Sequence, residues 1–317
     1  MQPADLASLP KAEVHVHLEG AVRPATLEEF AAREGTTLSR AFDDLNSFVE
    51  QYQLATQVMT EPGDYARMVA EYCEDAVRNG IRYAELEVSP AVTRGVQHRI
   101  AEAAEAAAKQ RDVTVRLILG LGRLMDPAIA MPALDVIKDI SGFVGLGLGG
   151  PEEGFNNDPF VEVFHEARRR GLRVAPHAGE NDGPHSVRSA LDALGAERIQ
   201  HGVRIIEDPA LLAEVARRRI PLAVCPTSNV RLGVCRAIEE HPLRQLWEAG
   251  VIVSVNTDDP GFFGCDLTGE YAIAGRLLGL DREGYARLAR NSVESSFAPD
   301  ELKVTLRREI DDWAKRD

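Results

Sequence analysis

Cysteine is scarce in this chain: Cys73, Cys225, Cys235 and Cys265 are the four it has, and no two make a C-x-x-C pair. A disulfide-stapled fold is thereby excluded, and reduced thiols are expected. No apolar run approaches the ~20 residues a membrane-spanning helix needs, so no membrane partner is expected. The first residues, MQPADLASLPKAE, carry neither the basic start nor the apolar stretch of a secretory signal, which predicts a cytoplasmic protein. Basic charge is also short, with 36 Lys and Arg against 50 Asp and Glu and a formal net charge of −14. Nonspecific nucleic-acid affinity rests on clustered cations, so no nucleic-acid partner is expected and a small, uncharged or mildly charged substrate fits better. Internal repeats, low-complexity tracts and linkers are missing, and residues 1–317 read as one domain whose oligomeric state the sequence leaves open.

What is present is the balance of a globular protein, 44% hydrophobic and 27% charged. Near its start stands Lys11 to Gly20, KAEVHVHLEG. Apolar and polar residues alternate from Glu13 to Leu18, as in a strand, so His15 and His17 share a face about 6–7 Å apart. A pair of imidazoles so placed can close on one ion if further ligands arrive from elsewhere. Arg23 to Gly80 then reads as helical, with Pro24 in the first turn of one helix, Gly35 after it, and apolar residues at three- and four-residue spacings over Asp43–Met59 and Asp64–Arg78. This is more than one crossover needs, and the inserted helices either roof a site or pack outside it.

From Gly80 a rhythm sets in. Ile81–Val88, Val113–Gly120, Phe143–Leu148, Leu172–His177, Arg198–His201, Ile220–Cys225 and Val251–Asn256 are short apolar or alternating runs, and the opening strand makes eight. Helical stretches separate them, opened by Asp158-Pro159, Asp208-Pro209 or Pro242 and closed by glycines such as Gly171 and Gly250. Eight such units predict an α/β fold, the (β/α)8 TIM barrel, with a helical insertion after strand 1 and C-terminal helices over Asp266–Asp317.

Barrels of this kind react at the C-terminal ends of their strands. Those ends here carry His15, His17 and Glu19, then His177 to Glu180, then His201, then Asn256-Thr257-Asp258-Asp259-Pro260. Taken singly, His177 could be a satisfied core histidine and Asp-Asp-Pro a turn. Together they put nitrogen and oxygen donors at one rim, as a metal that activates water requires, and zinc is the first choice because it lowers the pKa of bound water from 15.7 to about 7. Glu180 and His201 remain for proton transfers.

In chain order HVHLEGA, HAGE, QHGV, CPTSN and NTDDP resemble the motifs of the adenosine deaminase family of metal-dependent aminohydrolases, over Lys11 to Pro260. The resemblance implies one zinc ion per chain, held by His15, His17, His177 and Asp258. It implies that Glu180 protonates the purine N1, that His201 orients and deprotonates the metal-bound water, and that Asp258 is catalytic as well as a ligand. It further implies that Asp259 bonds to N7, that the Gly150 N–H donates to N3, and that His17 and Glu19 also contact substrate. Attack at C6 then releases ammonia. Glu180 must be protonated as substrate binds, so a raised pKa is expected.

Two departures bear on the substrate. Enzymes acting on plain adenosine have HLDGA where this chain has Glu19, and adenine-deaminating relatives share a glutamate there with a CP-x-SN motif like Cys225 to Asn229. Yet those relatives carry an Asp-Ser-Ser-type sequence where this chain has Gly147 to Glu152, whose glycines resemble the nucleoside-accepting arrangement. A third group deaminates 6-aminodeoxyfutalosine, an adenosine with a longer carboxylate-bearing arm on its 5′ side. The reading ranks an adenosine-type nucleoside, plain or 5′-modified, ahead of free adenine. A hydrolase of another heterocycle and a non-catalytic binding protein are the alternatives from other classes.

Three other features read as structural. Gly145 to Gly150 spells G-x-G-x-x-G, but Gly154, Asn156 and Asn157 break any helix it should open. Cys225 reads as a small buried residue at a strand end. Glu85 and Glu87 alternate on strand two and read as ion-pair or hydrogen-bonding residues.

Overall fold

The computed structural model describes residues 3–89 and 97–316. A short helix, α1 (Pro3–Ala7), precedes β1 (Lys11–His17), after which α2 (Pro24–Arg33), α3 (Leu45–Thr56) and α4 (Pro62–Arg78) come before β2 (Ile81–Val88). Strands β3 (Thr114–Gly122), β4 (Phe143–Gly149) and β5 (Arg173–Val174) complete a parallel sheet in the order β1-β2-β3-β4-β5. A second runs β6 (His177–Ala178), β7 (Ile199–His201), β8 (Leu222–Val224), β9 (Val253–Val255).

These two sheets are one TIM barrel. β5 and β6 occupy a single barrel position, predicted as one strand over Leu172–His177; Pro176 has no N–H to give the ladder and splits it. The backbone still bridges the break, because Ala175 N–H donates to Leu146 and the Pro176 carbonyl accepts from Gln200, each at 3.0 Å. After β9 the chain returns to β1: Asp258 N–H donates to the His15 carbonyl at 3.1 Å and His17 N–H to the Asp258 carbonyl at 2.9 Å.

Helix ends follow their sequence signals. Asp208 caps Pro209–Arg218 by accepting from the amides of Ala210 and Leu211, each at 3.0 Å. Gly171 and Gly250 follow their helices at φ of +83° and +79°, where a side chain would be strained. The G-x-G-x-x-G run lies on β4 and opens no helix. Three helices, Leu267–Leu278, Arg282–Ser295 and Asp300–Ala314, end the chain as expected, with Asp317 outside the described residues.

The N-terminal mouth of the barrel is shut by an ion pair. Arg198 and Glu85 meet at 2.7 Å with both side chains fully buried, and Phe297 lies over the guanidinium at 4.3 Å. Arg198 also donates to the Ser295 and Val14 carbonyls, each at 2.9 Å, so its charge is not left bare. Glu85 therefore has the ion-pair role read from the sequence.

β1 departs from strict alternation. Its register against β2 slips between Glu13 and Val16, a bulge. Glu13 consequently leaves the face of the histidines: Tyr72 of α4 donates to it at 2.6 Å, as does Thr257 Oγ1, also at 2.6 Å. His15, within the slip, and His17, just past it, turn their rings toward His177 in the barrel interior.

Candidate active site

Ligand atoms from three strands converge at the C-terminal rim. His15 Nε2 and His17 Nε2 lie 3.1 and 3.3 Å from His177 Nε2, and 3.2 and 3.1 Å from Asp258 Oδ1. Spacings of this size belong to donors each ~2.0–2.2 Å from a common centre, as zinc holds nitrogen and oxygen. His15 Nδ1 donates to the Ala223 carbonyl at 3.0 Å and His177 Nδ1 to the Leu148 carbonyl at 3.1 Å. A carbonyl can only accept, so each Nδ1 bears the proton and each Nε2 turns a lone pair inward. Lone pairs that close repel unless a cation lies between them, so the donor set fits a divalent metal.

The electrostatics point the same way. Burial, with His15 and His201 nearby, holds His177 neutral, well below its ordinary pKa. For His17 burial is outweighed by Asp259 and Glu87, then Asp258, which hold it well above the ordinary value. Burial alone would raise Asp258; the adjacent imidazoles of His15 and His17 keep it well below the carboxylate range. The surplus of acid calls for positive charge. Ser228, from the short helix Pro226–Arg231, donates to the other Asp258 oxygen at 2.6 Å.

Two of these residues hold unusual backbone conformations. His201 has φ of +62° and Asp258 +64°, in the left-handed region that glycine favours. Non-glycine residues there cost of order 1 kcal/mol and persist where the surroundings dictate them, most often at functional sites.

The remaining predicted residues gather beside these four donors, with one exception. His201 Nε2 faces Glu180 Oε1 at 3.4 Å and Asp258 Oδ2 at 3.7 Å. Burial, then the charge of Asp258, raises Glu180 well above its ordinary value, which favours its acid form. Asp259 is raised by the same two causes. Glu180 Oε1, His201 Nε2 and Asp259 Oδ1 are all buried with no hydrogen-bond partner among the described residues. Gly20 is what admits Asp259, since a Cβ there would collide with its carboxylate. Gly150 lines the cavity at φ +85°. Glu19 does not reach the cavity: fully buried, it accepts from the Ser89 amide at 3.0 Å and Tyr52 at 3.2 Å, and so stands behind the wall, tying α3 to the end of β2.

Above these groups lies a cavity of about 310 Å³. α3 is its roof through Leu45, Phe48, Val49 and Tyr52, while Leu124, Met125 and Leu232 make the wall. Of the inserted helices, α3 covers the site, and α4 packs outside through Tyr72.

A sequence model described as Adenosine deaminase matches residues 10–313. The chain belongs to the adenosine deaminase family. An aminodeoxyfutalosine deaminase from Streptomyces avermitilis is 39% identical over 97% of this chain and 92% of its own length. Among solved structures, an adenine deaminase from Arthrobacter aurescens superposes with a TM-score of 0.92 at 32% identity, covering 97% of this chain and all of its own. An amidohydrolase from Burkholderia ambifaria, solved with bound Zn, gives 0.90 at 27% identity over 98% of this chain and 93% of its own.

Two residues with clear work in this family member, Glu152 and Arg123, were not singled out from its sequence, and a third, Glu87, was read as structural. Glu152 accepts from the amides of Gly179, Glu180 and Asn181 at 2.7, 2.8 and 3.2 Å and from Ser186 Oγ, so one carboxylate shapes the loop that carries the acid. Arg123 is buried and donates to the Gly150 carbonyl at 3.0 Å and the His177 carbonyl at 2.6 Å. Glu87, read as structural, instead lines the cavity; Gly120 and Gly147 leave it room, and one of its oxygens has no partner among the described residues. No local pattern marks such residues, because their partners lie on other strands.

Glu152→Ala is expected to strand the loop amides in a buried site, destabilising the fold by about 3 kcal/mol or more. Thermal unfolding of the metal-loaded protein checks the stability, and kcat should fall about 10–100-fold as Glu180 loses its placement.

Proposed function

We propose that this chain is a zinc-dependent aminohydrolase, one zinc ion per chain, that deaminates C6 of the adenine ring of a nucleoside with an extended 5′ arm, of the 6-aminodeoxyfutalosine type. Hydrolytic deamination of an adenine-type ring is the activity its family relatives carry by name. The observation that carries the reading is the meeting of three imidazole nitrogens and the Asp258 carboxylate, with Glu180, its pKa raised well above the ordinary value, beside them.

Residues fit the ring edge by edge. His15, His17, His177 and Asp258 hold the metal, which when bound supplies the positive charge that makes water a nucleophile near neutral pH. Glu180, neutral and unpartnered, gives its proton to N1 and so makes C6 electrophilic. Asp259, kept protonated by burial, donates to N7, which can only accept. Gly150, its carbonyl tethered by Arg123, offers its amide to N3. His201 Nε2, Glu180 and Asp258 Oδ2 frame the place that the attacking water would take.

The rest of the cavity supports an extended substrate. Its size is of the order that encloses drug-sized ligands, ~300 Å³ and above, and the roof and wall beyond the polar floor are largely apolar, with Gln53 and Thr56 of α3 as polar groups among them. Small-molecule chemistry with a cytoplasmic location completes the reading; among the described residues no helix is long and apolar enough to cross a membrane.

Free adenine is the second reading, favoured by the Arthrobacter adenine deaminase likeness and by the Glu87 carboxylate, which could accept an N9–H. Side-by-side absorbance assays of 6-aminodeoxyfutalosine, adenosine and adenine decide between them. The extended nucleoside is expected to give the highest kcat/KM, by at least about 10-fold, a margin of ~1.4 kcal/mol in transition-state binding. Ranking adenine first would replace the nucleoside reading, and no ammonia from any of the three would remove both.

A further inference from the structure

Behind His201 runs a buried chain of hydrogen bonds whose direction is fixed at its far end. The Leu243 backbone N–H meets His241 Nδ1 at 3.1 Å, and a backbone amide can only donate. His241 Nδ1 is therefore an acceptor, and the proton of this buried, neutral ring is on Nε2; burial lowers its pKa to about 4. His241 Nε2 lies 3.0 Å from Asn229 Oδ1, to which it donates. That bond settles which way the Asn229 amide faces, and its NH2 then donates to His201 Nδ1 at 3.1 Å. His201 Nδ1 thus accepts. In a neutral imidazole the remaining nitrogen must carry the proton, so Nε2–H points at the catalytic space.

We propose that Asn229 and His241 are positioning residues that hold His201 as its Nε2–H tautomer, so that His201 donates a hydrogen bond to the attacking water and does not take its proton. This rests on the deaminase reading of the site and departs from the role of base that family resemblance implied for His201. The alternative tautomer would aim an Nδ1–H at the Asn229 NH2. Turning that amide over would only move the conflict, setting its NH2 against His241 Nε2–H, which the Leu243 amide prevents from changing. Asn229 and His241 are fully or nearly fully buried, so water does not relieve either clash.

The protons then balance on one acid. Glu180 gives its proton to N1 and becomes a carboxylate 3.4 Å from His201 Nε2. As the water oxygen bonds to C6, the proton it sheds passes to Glu180, which returns it to the exocyclic nitrogen. The C6–N bond breaks, its electron pair leaves with ammonia, and Glu180 regains a proton from the C6 hydroxyl as the carbonyl forms. His201 Nε2–H stays bonded to the oxygen throughout, stabilising charge that develops there.

Asn229→Asp separates the two roles, because a carboxylate can only accept. It keeps the bond from His241 but demands Nδ1–H of His201, which turns the Nε2 lone pair inward. With His201 as donor, kcat is expected to fall about 10²–10⁴-fold, the scale seen for a lost oxyanion donor or a wrong histidine tautomer, with KM and metal content unchanged. With His201 as base, the same change would hold or raise kcat, and that result overturns the proposal. Nitrogen-15 NMR of histidine-labelled, metal-loaded wild-type protein reads the tautomer without any substrate. A His201 Nε2 of the protonated type with Nδ1 of the unprotonated type is expected, and the reverse pattern, or protons on both, overturns the proposal. Because the spectrum needs no turnover, a protein that deaminates none of the purines would sink the proposed function while the tautomer was still decided.

Discussion

Glu180→Gln is expected to lower kcat by about 10²–10⁴ while leaving zinc content and substrate KM near those of the wild type. The side chain keeps its shape and can still offer a hydrogen bond, but an amide does not release a proton to N1. Steady-state rates with metal analysis check this, and a variant turning over at the wild-type rate would remove Glu180 as the acid. The pH dependence follows from the raised pKa. The acid form is the active one, so kcat/KM should hold below the raised value and fall as pH rises through it, giving an alkaline limb that the Glu180→Gln variant lacks. Stability has the same sign. A group whose folded pKa is raised contributes fully below its unfolded value, and that contribution is lost as pH rises through the folded value. A glutamine side chain does not titrate, so the variant should melt above the wild type at neutral and alkaline pH. An acid held neutral for chemistry is kept at some expense to the fold.

His177→Ala should abolish metal binding and with it activity, by at least about 10³-fold. His177 Nε2 is within 3.3 Å of both other imidazole donors, so its removal opens one whole side of the ligand set. Elemental analysis of the washed protein is the direct check, and stoichiometric zinc in the variant would contradict the ligand role. Thermal melts give a second readout. Zinc at ~1,000 times its dissociation constant stabilises a native protein by about 4 kcal/mol, so added zinc should raise the wild-type melting temperature and leave that of the variant unmoved.

The parts of this site legible in the sequence share one property: they stand at the ends of strands, where the barrel rule places reactive groups. His15, His17, His177, His201 and Asp258 can be gathered from separate stretches because each follows or ends a short apolar run. Glu87 reads as structural in the sequence for want of its neighbours; only β3 and β4 beside it show that Gly120 and Gly147 make room for its carboxylate. Glu19 is expected at the substrate from its motif and instead braces Tyr52 and Ser89, a difference set by the approach of α3. Whether the inserted helices roof the site does not follow from amphipathic spacing, since a helix buries an apolar face against either surface.

By itself the sequence determined the barrel, its order of strands and the identity of the groups at its rim, because strand period, helix caps and motif chemistry are local properties of the chain. Tertiary structure alone decided that Asn229 and His241 stand behind His201, which groups surround Glu180 and raise its pKa, and the left-handed backbone of His201 and Asp258. Each of those depends on what is packed within a few ångströms from elsewhere in the chain, on exclusion of water and on which atoms can only donate or only accept, and no spacing along the chain carries that information.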